Sequence, residues 1–382
     1  MPMVRTEAPP GHPYLTIDLD KIEHNARVIV GLCARHGIQV TGVTKATAGH
    51  PDVARALLRG GVTSIGESRL ENITRLKEAG VGAVEMLVRL PPLSGVDAVV
   101  DLVDVSLASE LVVLERLGAA AVRRGRGHEV LLMVELGDLR EGICPGDVLP
   151  FVREALRLPG IRIKGLGTNL ACFGAVMPSE HNMLQLVALA EEVEATCGLS
   201  LDWISGANSS GLELIASGRM PARVNHARIG EGILLGRETT HRRPWPGTFQ
   251  DAFLLHAEVL EVKTKPSLPV GGRCEDAFGR LPVFEDRGPV LRALLNVGRE
   301  DVDVDGLTPL GAGVRVLGGS SGYLVLDVTR AAGAARVGDE VTFALNYSAL
   351  LRAMASEYVK KIAVRGAQAV VGAAPASQLA GA

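Results

Sequence analysis

The sequence has 382 residues, of which 47% are hydrophobic and 22% are charged, and its formal net charge at pH 7 is −3. This length and composition are ample for a large core and for more than one domain, and they are typical of a soluble globular protein. The 40 basic residues nearly balance the 43 acidic ones and form no long block, so neither nucleic-acid binding nor attachment to a membrane surface is indicated.

The N-terminal segment and the cysteines bear on location and metal content. No run of about 18 apolar residues is present, and "MPMVRTEAPPGHP" lacks the apolar segment of a secretory signal, so we expect a cytoplasmic protein. Scattered cysteines without a C-x-x-C pair or a His/Cys cluster favour reduced, packed thiols and no structural metal site. The cysteines are Cys33, Cys144, Cys172, Cys197 and Cys274.

The first part of the chain alternates between short β-rich runs and longer helical stretches. From about Leu15 to Gly236, this alternation predicts βα units around a parallel sheet. The predicted strands are "IQVTGVT", "VTSIGE", "AVEMLV", "LVDVSLA", "EVLLMVEL", "IRIKGLGT", "DWISGA" and "VNHARIG". Eight such strands predict a (β/α)8 barrel over residues 1–240. Between them, "PDVARALLRG" and a capped segment from Ser179 to Gly198 predict amphipathic helices.

After residue 240 the pattern changes to strands separated by Gly, Pro and Asp turns. The strand-like runs are "FLLHAEVLEVK", "VLRALLNVG", "VRVLGG", "GYLVLDVT" and "DEVTFALNY". They predict a second, mainly antiparallel β domain over residues 241–365. "YSALLRAMASEYVKK" predicts one terminal helix that includes Lys360 and Lys361, and we expect residues 366–382 to form a flexible tail.

Polar side chains cluster where the predicted barrel strands end. Lys45 directly follows a predicted buried strand. If its ammonium is buried, it must be paired or deprotonated, because an isolated buried charge is costly. The alternative is that only the aliphatic part of the side chain packs and the ammonium reaches solvent. Active sites of (β/α)8 barrels lie at the carboxyl ends of the strands. The residues there are Lys45, Glu67 to Arg69, Arg140, Thr168, Asn169, Asn208 to Ser210 and Arg228 to Glu231. Together they predict a site for a phosphorylated carbonyl compound.

A series of motifs follows in a familiar order along nearly the whole chain. They are "IDLDKIEHNARVI", "VTKATAGH", "IGESRLENI", "GDLREGI", "GLGTNLACFG", "ISGANSSGLELI", "RIGEGILLG", "DAFG" and "LNYSALLRAMASEYVKK". Their order and spacing resemble the fold-type III pyridoxal-phosphate enzymes of the alanine racemase superfamily, and within it the ornithine and lysine racemase-like branch. The resemblance implies pyridoxal 5'-phosphate (PLP) as cofactor and a homodimer with composite active sites. It also implies racemisation of a free amino acid, ornithine- or lysine-like or of broad range, by two-base α-proton transfer.

The resemblance also implies roles for individual residues. Lys45 would bond covalently to PLP, and burial near other cations would supply the neutral amine that this chemistry needs. Arg140 matches the arginine that contacts the cofactor phenolate and the substrate carboxylate. Arg228 would face the pyridine nitrogen of the cofactor. A permanent cation there does not protonate the nitrogen, so the ring withdraws electrons less strongly and return of the proton is favoured over transamination. The alternative role of Arg228 is a structural ion pair. Asn169 stands where alanine racemases carry a ring-stacking histidine.

Phosphate binding would fall to residues from both predicted domains. The resemblance assigns it to Ser209, with Ser210 possible, to the backbone N–H groups of Gly230 and Glu231, and to Tyr347. Hydroxyls and amides at a strand-to-helix turn suit a dianion, although serines in this position also cap helices. Asn208, which precedes the two serines, is also predicted to contact the cofactor.

This sequence departs from alanine racemase at the second acid/base. The tyrosine that serves there is missing from "GGRCEDAFG", and our alignment places Asp276 at its position, with Cys274 as the alternative. Burial against Phe278 beneath a neighbouring subunit is expected to raise the pKa of Asp276, whereas a turn or a salt bridge is the structural alternative. The branch motif "SSDH" is "SSGY" here, so an aspartate that could contact a substrate ammonium is absent.

Other functions within the same fold type are less well supported by the sequence. A non-catalytic PLP-binding protein of cofactor homeostasis would resemble the barrel only, and it would lack the second domain. A decarboxylase would carry an "EPGR"-like phosphate motif and a late "C-D" pair, and a D-threonine aldolase would carry a metal site. Racemisation is therefore the predicted activity.

Overall fold

The computed structural model describes residues 11–366 apart from 332 and 334. Two compact units are present: Leu19–Gln250 form one, and the described residues on either side of it form the other. The division differs from the predicted boundaries in two respects. It falls after Gln250 rather than at residue 240, and residues 11–18 belong to the second unit because their strand pairs with that unit's sheet. Apart from Gly366, the predicted tail lies outside the described residues.

The secondary structure alternates in the first unit and is mostly β in the second. The strands are β1 (Tyr14–Asp18), β2 (Gln39–Val43), β3 (Ser64–Glu67), β4 (Val84–Leu87), β5 (Val105–Ala108), β6 (His128–Met133), β7 (Ile161–Gly167), β8 (Trp203–Ala207), β9 (His226–Ile229), β10 (Phe253–Pro266), β11 (Pro289–Leu295), β12 (Leu307–Pro309), β13 (Arg315–Gly319), β14 (Leu324–Asp327), β15 (Glu340–Leu345) and β16 (Lys360–Val364). The helices are α1 (Leu19–Arg35), α2 (Pro51–Arg59), α3 (Leu70–Glu78), α4 (Val96–Leu102), α5 (Leu111–Arg123), α6 (Val148–Ala155), α7 (Glu180–Cys197), α8 (Leu212–Ala216), α9 (Glu231–Leu234) and α10 (Tyr347–Ala355).

The first unit is a closed parallel barrel. Strands β2 to β9 pair in chain order, and β2 returns to β9 with Gln39 opposite His226, which closes the cylinder. The prediction of a (β/α)8 barrel is confirmed; seven of the eight predicted strands contain one of these strands, and the predicted "EVLLMVEL" covers β6 except for its first residue, His128. Apolar side chains fill part of the interior, where Met86, Leu131 and Trp203 belong to one cluster. Because parallel strands end at the same side, their carboxyl ends form one opening, which we call the mouth.

The helices around the barrel begin and end where the sequence signals predicted. Helix α7 begins with a capping box, in which the Ser179 side chain accepts from Asn182 N and the Asn182 side chain accepts from Ser179 N. It ends at Gly198, whose φ of 64° is left-handed and therefore favours glycine. Asn25 on α1 is buried and bonds the backbone of Ile233 and Phe249, which ties the first helix to the last part of this unit.

The second unit is an eight-stranded sheet. Its main path is β12-β15-β10-β11-β14-β13, while β1 pairs antiparallel with β10 and parallel with β16. The predicted mainly antiparallel character is confirmed, although β1, β12 and β16 were not predicted as strands of this sheet. The predicted terminal helix is too long, since α10 ends at Ala355 and Lys360 and Lys361 lie in β16. Within the described ranges, no helix is long and apolar enough to cross a membrane.

Candidate active site

Lys45 lies just beyond β2 at the mouth of the barrel. It begins a 3₁₀ turn, Lys45–Thr47, and its side chain is exposed. The expected burial of Lys45 is therefore wrong for the single chain. The buried polar residue at the end of β2 is instead Thr44, whose hydroxyl donates to Glu67 Oε2 at 2.9 Å. The Lys45 amine is consequently accessible to a carbonyl compound that enters from solvent.

Arg228 lies on β9 opposite Thr41 of β2 and is buried. Its guanidinium donates to Ser205 O at 3.1 Å, to Ser205 Oγ and to Thr168 O at 2.7 Å. Burial lowers the pKa of Arg228 to about 10, so the group remains a cation at neutral pH. Among the described residues it has no carboxylate within ion-pair distance, and Nε makes no hydrogen bond. The structural ion pair that was the alternative role of Arg228 is therefore not present in the described part of the chain.

Arg140 lies in the loop that joins β6 to α6. It donates from Nε and Nη2 to the two carboxylate oxygens of the adjacent Glu141, and from Nη1 to Cys172 Sγ at 2.9 Å. The amide of Asn169 lies between two donors: one of its terminal atoms is 3.2 Å from Arg140 Nη1 and the other is 3.1 Å from Asn208 Nδ2, so its oxygen accepts from one of these neighbours. The structure thus brings three of the predicted site residues, Arg140, Asn169 and Asn208, into contact.

The two serines after β8 differ in their contacts. Ser210 donates from its backbone N at 2.7 Å and from Oγ at 2.6 Å to Asn208 Oδ1, so the residue that caps this 3₁₀ turn is Asn208. Ser209 Oγ instead accepts from Gly232 N at 2.9 Å and so joins this turn to the turn after β9. Ser209 therefore lies between the two turns, whereas the Ser210 hydroxyl is bonded to the cap residue Asn208.

The turn after β9 comes close to the end of β2. A Cβ atom at Gly230 would lie 3.1 Å from the Val43 carbonyl oxygen, a tight contact that would require a shift of a few tenths of an ångström. The next residue, Glu231, pairs through its carboxylate with Arg242. The backbone N–H groups of Gly230 and Glu231, rather than the Glu231 side chain, are therefore the groups of this turn that suit an anion.

The second-unit residues that the sequence singled out lie in two places. Tyr347 is the first residue of α10, after the cap residue Asn346. Asp276 and Cys274 are exposed in the segment between β10 and β11. Asp276 Oδ1 accepts from the backbone N–H groups of Phe278 at 2.8 Å and Arg280 at 2.9 Å. These two bonds hold the pKa of Asp276 below its usual value, whereas the sequence reasoning expected burial to raise it.

Sequence reasoning missed the carboxylates that hold the mouth loops. Asp138 is buried, and it accepts from Cys172 N at 3.1 Å, Phe173 N at 3.0 Å and Val176 N at 3.4 Å. Glu135 in turn accepts from Arg140 N at 3.1 Å. The available signal was the turn-rich stretch "ELGDLREG", in which acids precede Arg140 among glycines.

These side chains define what the mouth can bind. An exposed primary amine, a guanidinium without a carboxylate partner and a turn of amides and hydroxyls suit a small anionic carbonyl compound. No group of three or more His, Cys, Asp or Glu side chains that could hold a metal ion is found in the part of the chain that the structure describes. The fold and the mouth therefore define a (β/α)8 barrel with an accessible lysine at its mouth.

Comparison with known proteins identifies the family. The family "Alanine racemase, N-terminal domain" matches residues 17–238. An ornithine racemase from Acetoanaerobium sticklandii is 39% identical over 351 residues, which is 92% of this chain and 99% of the relative. A lysine racemase from Thermotoga maritima is also 39% identical over 351 residues, which is 92% of this chain and 98% of the relative.

A solved structure shows the same fold at lower identity. It is an alanine racemase from Bartonella henselae with covalently bound pyridoxal phosphate, with a TM-score of 0.69 and 18% identity, and the match covers 93% of this chain and 100% of that one. The chain belongs to the alanine racemase family. It is an amino acid racemase, and the comparisons do not support the alternative of a non-catalytic PLP-binding protein.

Proposed function

We propose that this protein uses PLP, bound covalently at Lys45, to interconvert the L- and D-enantiomers of a free basic amino acid such as ornithine or lysine, or of a broader range of amino acids. The observation that carries the proposal is the pair of basic groups at the mouth: an accessible Lys45 amine, and a buried Arg228 with no carboxylate within ion-pair distance among the described residues. The names of the two 39% identical relatives support the substrate class.

The residues at the mouth fit this cofactor by their chemistry. Lys45 Nζ would hold its carbonyl carbon, Arg228 would face its ring nitrogen, and Ser209 with the Gly230 and Glu231 amides would hold its phosphate. The proposed set also includes Asn169, Asn208, Ser210 and Tyr347. When bound, PLP withdraws electrons from the substrate α-carbon and so makes the α-proton acidic.

The protein side chains then have three tasks. Lys45 Nζ takes and returns the α-proton on one face of the substrate. Arg140, held by Glu141 and Asn169, offers the fork geometry that suits the substrate carboxylate. Arg228 would face the ring nitrogen as a cation that keeps its proton, and this role would favour return of the α-proton to the substrate.

Lys45→Ala tests the proposal directly. We expect the parent protein to give a borohydride-reducible adduct with PLP and to racemise ornithine or lysine in a chiral assay that covers all amino acids. Lys45→Ala should lose both properties, whereas Lys77→Ala, which removes an exposed lysine on α3, should keep them. A reducible adduct of undiminished yield in Lys45→Ala would show that another lysine holds the cofactor.

The second acid/base is proposed to be Asp276, with Cys274 as the alternative. Asp276→Asn keeps the side-chain shape and removes proton transfer, so racemisation should fall by roughly two to four orders of magnitude. Exchange of the α-hydrogen of one enantiomer for deuterium should continue, because Lys45 serves that face. If Asp276→Asn racemises both enantiomers near the parent rate, Asp276 is not this group, and Cys274→Ala becomes the variant to measure.

We further propose a cytoplasmic homodimer with composite active sites. A proton must reach both faces of the substrate, and Lys45 serves only one, so a neighbouring subunit's Asp276 segment would supply the other. Mixing inactive Lys45→Ala and Asp276→Ala subunits should then restore part of the activity. A fully active monomer in sedimentation would refute the composite site.

A further inference from the structure

A chain of buried hydrogen bonds crosses the barrel interior beneath the mouth. It begins at Arg228, whose Nη1 donates to Ser205 Oγ. Ser205 Oγ lies 2.7 Å from His226 Nδ1, and His226 Nε2 lies 2.9 Å from Thr41 Oγ1. Thr41 Oγ1 lies 2.8 Å from Ser64 Oγ. All of these side chains are buried, so each hydrogen bond replaces one that water would otherwise make.

The cation at the end of the chain fixes the direction of the first bond, and the tautomer of His226 fixes the others. A guanidinium can only donate, so Ser205 Oγ must accept from Arg228. The Ser205 hydroxyl proton is then free to point to His226 Nδ1, which accepts only if the imidazole is neutral and carries its proton on Nε2. Nε2–H in turn donates to Thr41 Oγ1, and the Thr41 proton points to Ser64. With this tautomer of His226, every proton in the chain points away from Arg228.

The surroundings of His226 keep its ring neutral. Complete burial is the main cause that lowers its pKa well below the usual value, and the nearby cations Arg228 and Lys164 add to it. The ring also stacks on Trp203, with ring centroids 4.0 Å apart and an angle of 5° between the planes. A charged imidazole would place a donor against Ser205 Oγ, and the Ser205 proton would lose its acceptor. Neutral His226 is thus the form that fits this orientation of Arg228.

We propose that Ser205 and His226 are positioning residues that fix the plane of the Arg228 guanidinium, so that it faces the ring nitrogen of PLP as a cation that does not give up its proton. The inference rests on the proposed function of Arg228. Ser205 acts by direct contact, and His226 acts through Ser205. A guanidinium released from this chain would rotate away from the ring nitrogen, which would leave that nitrogen open to a proton from solvent. The reaction would then lose its preference for proton return over transamination.

Paired variants separate positioning from general damage to the barrel. Ser205→Ala and His226→Phe should each lower kcat for racemisation roughly tenfold to a hundredfold, and each should raise the ratio of pyridoxamine 5'-phosphate formed to racemisation by a factor of about ten or more. Because His226 acts through Ser205, the double variant should be no more than about threefold worse than the worse single variant. Ser205→Thr, which keeps the hydroxyl, should restore most of the parent behaviour.

The same barrel contains a matched control. Ser106 Oγ lies 2.9 Å from the Nε2 atom of the buried His128, and this pair makes no hydrogen bond to Arg228 in the described structure. Ser106→Ala and His128→Phe should therefore leave the ratio of transamination to racemisation unchanged. If all four single variants change this ratio equally, or if the Ser205 and His226 effects simply add, the positioning role is wrong.

A measurement without cofactor distinguishes this proposal from the proposed function. In protein labelled with ¹⁵N-histidine, His226 should show an unprotonated Nδ1 and a protonated Nε2 throughout pH 6 to 8, and Ser205→Ala should shift the Nδ1 resonance. An imidazolium, or a proton on Nδ1, would overturn the hydrogen-bond chain even if the enzyme racemises. Conversely, a parent protein that forms no PLP adduct would refute the proposed function. The ¹⁵N resonances of His226 would still show whether the hydrogen-bond chain is present.

Discussion

Asp138 links two mouth loops, and its loss should weaken substrate binding more than it weakens the fold. Its carboxylate accepts two good hydrogen bonds and one long one from the 171–178 loop. Each good hydrogen bond to a charged group contributes about 1.5 kcal/mol, so Asp138→Ala should destabilise the ordered conformation of this loop by about 3 kcal/mol. That loop also holds Ala171 and Ala175 at φ of 54°, a left-handed conformation that costs about 1 kcal/mol each and that the carboxylate's bonds offset.

A change of about 3 kcal/mol shifts the equilibrium of the loop by roughly two orders of magnitude. Since Arg140 contacts Cys172 of this loop, we expect kcat/KM to fall by about tenfold to a hundredfold, mainly through KM. Chiral chromatography of both reaction directions measures this, and hydrogen exchange over residues 171–178 should rise.

The control for Asp138 is a carboxylate of similar type away from the mouth. Glu194 accepts from Leu201 N at 2.8 Å in the loop that precedes β8, at the opposite end of the barrel, and it also pairs with Arg223. Glu194→Gln should lower stability without a specific rise in KM. If Asp138→Ala keeps kcat/KM within threefold of the parent and shows unchanged exchange over the 171–178 loop, the reasoning from its hydrogen bonds is wrong.

Two further predictions concern the serines after β8 and acid stability. Ser209→Ala should raise the Kd for PLP roughly tenfold in an absorbance titration. Ser210→Ala should mainly cost about 1 kcal/mol of unfolding free energy, because its hydroxyl loses the hydrogen bond to Asn208 Oδ1; equal changes in Kd would contradict the distinction. Burial lowers the pKa of His128 to about 4, so between that value and about 6.5 only the unfolded chain binds its proton, and stability falls as pH falls. Between pH 7 and pH 5, His128 should lower the free energy of unfolding by about 2 kcal/mol. Urea unfolding of His128→Phe should lack this part of the pH dependence, and an unchanged dependence of the unfolding free energy on pH would refute the prediction.

Much of the fold could be predicted because the barrel is built from local signals. Each barrel strand is a short apolar run followed by turn residues and an amphipathic helix, so neighbours in sequence are neighbours in the sheet. The strand Tyr14–Asp18 shows the limit of this reasoning. It precedes a helix as a barrel strand would, yet its partners are β10 and β16, which lie more than 200 residues away in the chain. Pairing over such a distance leaves no local pattern, and the same reason accounts for the missed strand at Lys360–Val364.

The candidate site was predictable where it depends on strand ends and not where it depends on side-chain pairing. Lys45, Arg140 and Arg228 follow from the rule that barrel sites lie at carboxyl ends. His226 does not, because a histidine within a strand is indistinguishable in sequence from an ordinary core residue. Only the register, with Ser205 opposite His226 on adjacent strands, shows that the two can bond. Asp138 was missed for a similar reason, since its three partners come from a different loop.

Asp276 illustrates how local structure limits a predicted chemical role. A second acid/base must hold a proton for part of the cycle, but in the single chain the Asp276 carboxylate is exposed and accepts two backbone N–H groups, which favour its charged form. Asp276 can therefore serve as proposed only if a neighbouring subunit desolvates it enough to outweigh these bonds. The pH dependence of racemisation tests this requirement. If Asp276 is the donor, the limb that reports its protonation should lie well above pH 4 in the assembled enzyme, and it should disappear in Asp276→Asn. If the limb persists unchanged in that variant, it belongs to another group. The role of Asp276 is then only structural, namely to hold its turn by accepting from the Phe278 and Arg280 backbone N–H groups.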